Sequence, residues 1–84
     1  MKCKHCKIRE ATQKHHVIRK SQGGSNNPEN LIPLCFECHI IKIHSQEDKE
    51  ALKTCYDYIR DNLDKCWEGK YKPKKVREIE NGIL

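Results

Sequence analysis

Long apolar runs are missing from this sequence, and so are most of the side chains that fill an ordinary core. Of 84 residues, 36% are hydrophobic and 6% aromatic, with one Trp, one Phe and three Tyr. A bilayer-spanning helix needs about 20 consecutive apolar residues, and no stretch comes near that. The opening Met1-Lys2-Cys3-Lys4-His5-Cys6 has no apolar run after its charges, so no secretory leader is expected. No internal repeat is visible. The length allows one domain, and a chain this short buries so modest a share of its surface that staples are expected.

Cysteine and charge are what the sequence has in quantity. It holds six cysteines, 35% charged residues and a formal charge of +5. Without an export signal the expected setting is cytoplasmic and reducing, where CxxC pairs read as metal ligands rather than disulfides. Four zinc-bound thiolates with their Zn²⁺ subtract two charges, and a second divalent ion on neutral ligands restores them. A basic balance of this kind suits a polyanion such as nucleic acid. Solvated surface lysines account for it equally well.

Cys3 and Cys6 form one CxxC pair and Cys35 and Cys38 another. One pair alone also suits redox chemistry. Two pairs make a four-cysteine structural zinc site, with the long interval between them filled by something folded. His5, inside the first knuckle, is expected to face solvent. Residues 12–18 lean towards a strand through Thr12, Val17 and Ile18. Residues 19–30 carry Gly23-Gly24 and Asn27-Pro28 and read as a loop. Leu31-Ile32-Pro33-Leu34 is a short or edge strand, since Pro33 cannot donate to a ladder. Phe36, Ile40 and Ile43 then mark a helix over about 36–44.

Ser45 with Asp48 resembles a capping box for a second, long amphipathic helix. Its stripe runs through Leu52, Cys55, Tyr56, Ile59, Leu63, Cys66 and Trp67, with Gly69 as its end. Cys55 and Cys66 are too far apart along that helix to share an ion or a bridge, and read as small buried apolar residues. The expected layout is a zinc-clasped core over 1–44, the amphipathic helix over 45–69 and a basic tail over 70–84. The helix packs on the core or pairs with another chain, which would allow a homodimer. The tail either tracks a phosphate backbone or is simply solvated.

Four of the five histidines, His15, His16, His39 and His44, lie within residues 15–44. Phosphodiester hydrolysis needs a base for water and a cation for the charge that develops on phosphate and leaving oxygen. Imidazole, with a reference pKa of about 6.5, suits the base. Neighbours on a strand point to opposite faces, so His15 and His16 are expected to divide the work, one gripping metal and the other taking the proton.

Together, Cys3-x-x-Cys6, His15-His16-Val17, Gly23-Gly24-Ser25, Asn30-Leu31-Ile32 and Leu34-Cys35-x-x-Cys38-His39 resemble the HNH endonucleases of the zinc-finger-bearing kind. The resemblance covers residues 3–44, about half the chain. It implies an α+β, zinc-stabilised ββα-metal fold and a DNA endonuclease. It also implies His16 as general base, His15 and His39 as ligands of a catalytic ion, and Asn30 as the residue that ties the loop and orients His16. Where the family has an Asp-His pair, this chain has His15-His16. His44 follows His39 by five residues, about 140° around an α-helix, so it reaches the ion only if the helix ends or distorts. Nitrogen-rich ligands favour Mn²⁺, Ni²⁺ or Co²⁺ over Mg²⁺. Arg19 and Lys20 are candidate DNA phosphate contacts, with ordinary exposed cations as the plain alternative. Gly23 and Gly24 either let the substrate approach or make the turn. A non-catalytic zinc module binding nucleic acid or protein is the alternative function; it explains the cysteines and charge, but not His15, His16, Asn30 and His39 together.

Overall fold

Two short antiparallel strands carry the first histidines. A computed structural model describes residues 1–82, so Ile83 and Leu84 of the expected tail lie outside the described residues. Strand β1 (Gln13–His16) pairs with β2 (Leu31–Leu34), His15 opposite Ile32 and Gln13 opposite Leu34. Alternation sets Gln13, His15, Ile32 and Leu34 on one face. Ile32 and Leu34 are fully buried there, and His15 is left 9% exposed. The strand expected over 12–18 is regular only over these four residues, although Val17 N–H still reaches the Asn30 carbonyl at 3.0 Å. Pro33, which has no N–H, accepts from the Lys4 N–H at 3.0 Å and so joins β2 to the first cysteine knuckle.

The loop between the strands is clamped by its own chain. Gly23 has φ of 89°, and a Cβ on Gly24 would stand 1.7 Å from the Ile18 carbonyl oxygen. Only glycine fits at that second position. Gly24 pairs with Trp67, Ser25 N–H bonds to Cys66 O, and Glu68 N–H bonds to Gly23 O. The glycines therefore serve close packing of backbone on backbone.

After β2 the chain enters a π-helix, Glu37–Ser45, with Gln46 N–H bonding to Ile41 O five residues back. Strand, strand and helix make the expected ββα order. Helix α1 (Lys49–Ile59) follows, capped by Asp48, whose carboxylate accepts from the Glu50 and Ala51 N–H groups. Ser45 does not cap it, because the π-helix runs through that residue. The long helix expected to Gly69 stops at Ile59. A 3₁₀ segment, Arg60–Lys65, carries non-helical angles at Asn62, and Cys66–Glu68 then pair with the loop. Asp and Asn are weak helix formers that compete for backbone groups, and this segment holds Asp61, Asn62 and Asp64. The basic tail folds into a short helix, α2 (Lys74–Glu80), with Val76 and Ile79 buried. Cys55, Ile59, Cys66, Val76 and Ile79 join Ile18, Ile32 and Leu34 in one core, so the amphipathic stripe is taken up within the chain. Among the described residues no helix is long and apolar enough to cross a membrane.

Candidate active site and metal centres

The two cysteine knuckles meet. The sulfurs of Cys3, Cys6, Cys35 and Cys38 lie within 4.8 Å of one another, with Cys6 and Cys35 at 3.9 Å. Four sulfurs bound to one zinc at about 2.3 Å would stand about 3.8 Å apart, so the spacing fits that ion. Electrostatics divide the thiols. The backbone N–H groups of Arg9 and Ile8 pull the Cys6 thiol down to about 6. Burial opposes ionising Cys3, but the Cys35, Cys6 and His5 amides outweigh it and lower its pKa. Burial and the neighbouring sulfurs push Cys38 up. Only a central cation makes four thiolates stable side by side. An Arg9–Glu37 ion pair braces the first knuckle against the π-helix. His5 bonds to Thr54 Oγ1 at 2.9 Å, anchoring the knuckle to α1 rather than simply facing solvent.

The second cluster is made of imidazoles. His15 comes from β1, and His39 and His44 from the π-helix. His39 Nε2 lies 3.2 Å from His15 Nδ1 and 3.1 Å from His44 Nε2. Residues five apart share a face when the hydrogen bonds run i to i+5, and the π-helix thus brings His44 beside His39. Gln13 Oε1 accepts from His39 Nδ1 at 2.5 Å, which leaves the Nε2 lone pair directed into the cluster. Burial, then the neighbouring His39 and His44, lowers His15 to about 4, and burial followed by His44 lowers His39. Both rings are therefore neutral at pH 7, the form that binds metal. Ligand nitrogens bound at about 2.0–2.1 Å stand roughly 3.0–3.4 Å apart, which the observed separations match. Three imidazoles around one ion would leave positions open, as catalytic sites do, whereas four cysteines would close theirs.

His16 stands outside this trio, as strand alternation requires. Its Nε2 lies 2.9 Å from Asn26 Oδ1. With that nitrogen donating, Nδ1 carries the free lone pair. Asn30 is fully buried, and its side-chain hydrogen bonds go to the loop backbone rather than to His16. Its Oδ1 accepts from Ile18 N–H at 2.8 Å, and its Nδ2 donates to the Ile18 and Ser25 carbonyls at 3.0 and 2.9 Å. It thereby fixes the loop on which Asn26 sits. His15, His16, His39, His44, Arg19 and Lys20 line one cleft of about 420 Å³, together with Lys14. Lys14, Gln13 and Asn26 were not singled out by sequence reasoning. Gln13 was within reach of it, being two residues before His15 on the same strand face; Asn26 was not, because its place depends on how the loop folds.

The HNH endonuclease family matches residues 3–46, which takes in both cysteine pairs, the strand pair and all of the cluster histidines. The chain is also 38% identical over 42 residues to the type IV methyl-directed restriction enzyme EcoKMcrA of Escherichia coli (strain K12). That similarity covers 50% of this chain and 15% of the relative. No solved structure matches. With the zinc-type clasp, the paired strands and the histidine-lined cleft in the order that this family combines them, the chain belongs to the HNH endonuclease family.

Proposed function

We propose that the chain is a metal-dependent DNA endonuclease in which His16 is the general base and His15, His39 and His44 hold the working ion. The observation that carries this reading is the convergence of three imidazole nitrogens beside a fourth histidine that is oriented separately, all in one basic cleft. His16 Nδ1 takes the proton of the attacking water while its Nε2–H stays on Asn26 Oδ1. Asn30 keeps that loop in place. Lys14, Arg19 and Lys20 line the cleft and contact substrate phosphates. A bound divalent ion supplies Lewis-acid stabilisation of the scissile phosphate and of the leaving oxygen. Zinc in the cysteine clasp holds the fold. The restriction enzyme among the relatives supports DNA as the polymer. Imidazole ligands support Mn²⁺, Ni²⁺ or Co²⁺ as better activators than Mg²⁺. Six free thiols, four of them gathered around an ion site, fit a reducing intracellular compartment.

The test is conversion of supercoiled plasmid with each metal in turn. Wild type should cut with Mn²⁺ and stop with chelator. His16→Ala should lose about 10²–10⁴-fold in rate with its zinc and fold intact. Equal cutting by both proteins would sink the assignment of the base, and strong DNA binding without any cutting would leave only a zinc-binding module.

A further inference from the structure

The C-terminal half, outside residues 3–46, builds one wall of a second pocket beside the histidines. This pocket, of about 300 Å³, shares His15, Arg19 and His44 with the catalytic cleft, so the two spaces adjoin. Its floor is the buried core at Val17, Ile43 and Cys55. Arg19, Tyr56 of α1 and Lys75 of α2 line it as well, with Lys75 Nζ 5.7 Å from the centre of the Tyr56 ring. That cation–π contact steadies a long cationic side chain at the pocket wall. Gln22 and Glu47 add polar groups. The volume lies at the small end for ligand pockets, which suits one small unit rather than a helix or a loop. Two cations against one carboxylate favour an anion. An apolar floor, an aromatic ring and amide and carboxylate groups suit a base with its sugar.

We propose that this pocket takes one nucleotide of the substrate strand next to the cut, with Arg19 and Lys75 against its phosphate and Tyr56 against its sugar or base. The proposal rests on the nuclease reading, since its ligand is the continuation of the same strand. It makes α2 part of the substrate-binding surface.

The experiment uses the zinc-loaded full chain with His16→Ala, so that nothing is cut. Deoxynucleoside 5′-monophosphates and a short DNA duplex are titrated while backbone amide resonances are followed. Shifts are expected at Gln22, Glu47, Tyr56 and Lys75. Shifts confined to Lys14 and Lys20 would overturn the proposal, as would none at all. Lys75→Gln keeps the stem on Tyr56 but removes the charge. It should make the dependence of log affinity on log salt less steep by about 0.9, the value for one phosphate contact on duplex DNA. An unchanged slope overturns the role of Lys75. Tyr56→Leu, with its fold checked by zinc content and amide spectrum, should weaken nucleotide binding by about tenfold. Plasmid cutting by wild type is scored separately. Cutting without pocket shifts rejects the pocket alone, whereas pocket shifts without cutting reject the nuclease reading and leave a nucleotide pocket with no cut beside it.

Discussion

Asn30 ties together the loop that lies beside the histidine cleft. Its amide makes three hydrogen bonds to loop backbone in a fully buried position. Asn30→Ala leaves Ile18 N–H and the Ile18 and Ser25 carbonyls without these partners. At about 1–3 kcal/mol for an unsatisfied buried group, with some relaxation, the loss should be about 2–4 kcal/mol, read from the urea midpoint. An unchanged midpoint would mean that the loop holds itself. Breaker residues put Asn30 on the loop and resemblance gives it the role of orienting His16; its side-chain bonds go to Ile18 and Ser25, next to the Asn26 that bonds His16. Gln13 acts on the other histidine. Gln13→Leu should lower affinity for Mn²⁺ at the histidine site by about 10–100-fold, by calorimetry, with the fold retained. His15 gives a pH test. Its folded value of about 4 lies below the ordinary 6.5, so between these the unfolded chain holds a proton that the folded chain does not. Its contribution to stability therefore rises with pH across that window and is lost as acid is added. With the histidine site kept ion-free, the His15 ring nitrogens should still read as neutral at pH 5.5 by NMR.

At the scale of elements, the interval between His39 and His44 is decisive. On an α-helix five residues separate two side chains by about 140°, and the pair would not meet. The π-helix Glu37–Ser45 removes that difficulty, and periodicity alone could not have announced it, because a π-helix has no strong residue signature. Ile41 lies between the two histidines and is 40% exposed. Its deletion sets them four apart, the α-helical interval. This variant should keep ion binding, measured by Co²⁺ absorption on zinc-loaded protein, while an alanine inserted at the same place should abolish it. Binding lost on deletion and kept on insertion would show that the local helix type does not set the pair. The second half was less legible for a related reason. The apolar stripe from Leu52 to Trp67 persists in sequence across the break at Asn62, and the pairing of Cys66–Glu68 with Gly23–Ser25 is long-range. In α2 the buried Val76 and Ile79 form a single pair three apart, hidden among charges in a segment that reads as tail.

For the whole molecule, the cysteine clasp and the proposed histidine site predict two separable failures. The cysteine clasp joins the N-terminus, β2 and the start of the π-helix, and few large apolar side chains back it up. Structural zinc in finger peptides is worth about 10–16 kcal/mol, against a total stability of about 5–15 kcal/mol for an ordinary domain. Cys35→Ser should therefore unfold much of the chain, with loss of zinc and of far-ultraviolet circular dichroism. The proposed histidine site is different: it would offer three ligands and leave positions open, and His39 is held by Gln13 and His15 by the strand. His39→Ala should keep zinc and dichroism while ending plasmid cutting. Chelator added gradually should act in the same order. Cutting stops first, with helix signal and zinc content unchanged, and unfolding follows only when zinc leaves the thiolates. Both signals falling together at every chelator concentration, or His39→Ala losing zinc, would mean that the clasp and the working site are one cooperative unit. The division by ligand type, four sulfurs for the fold and three nitrogens for the chemistry, would then be wrong.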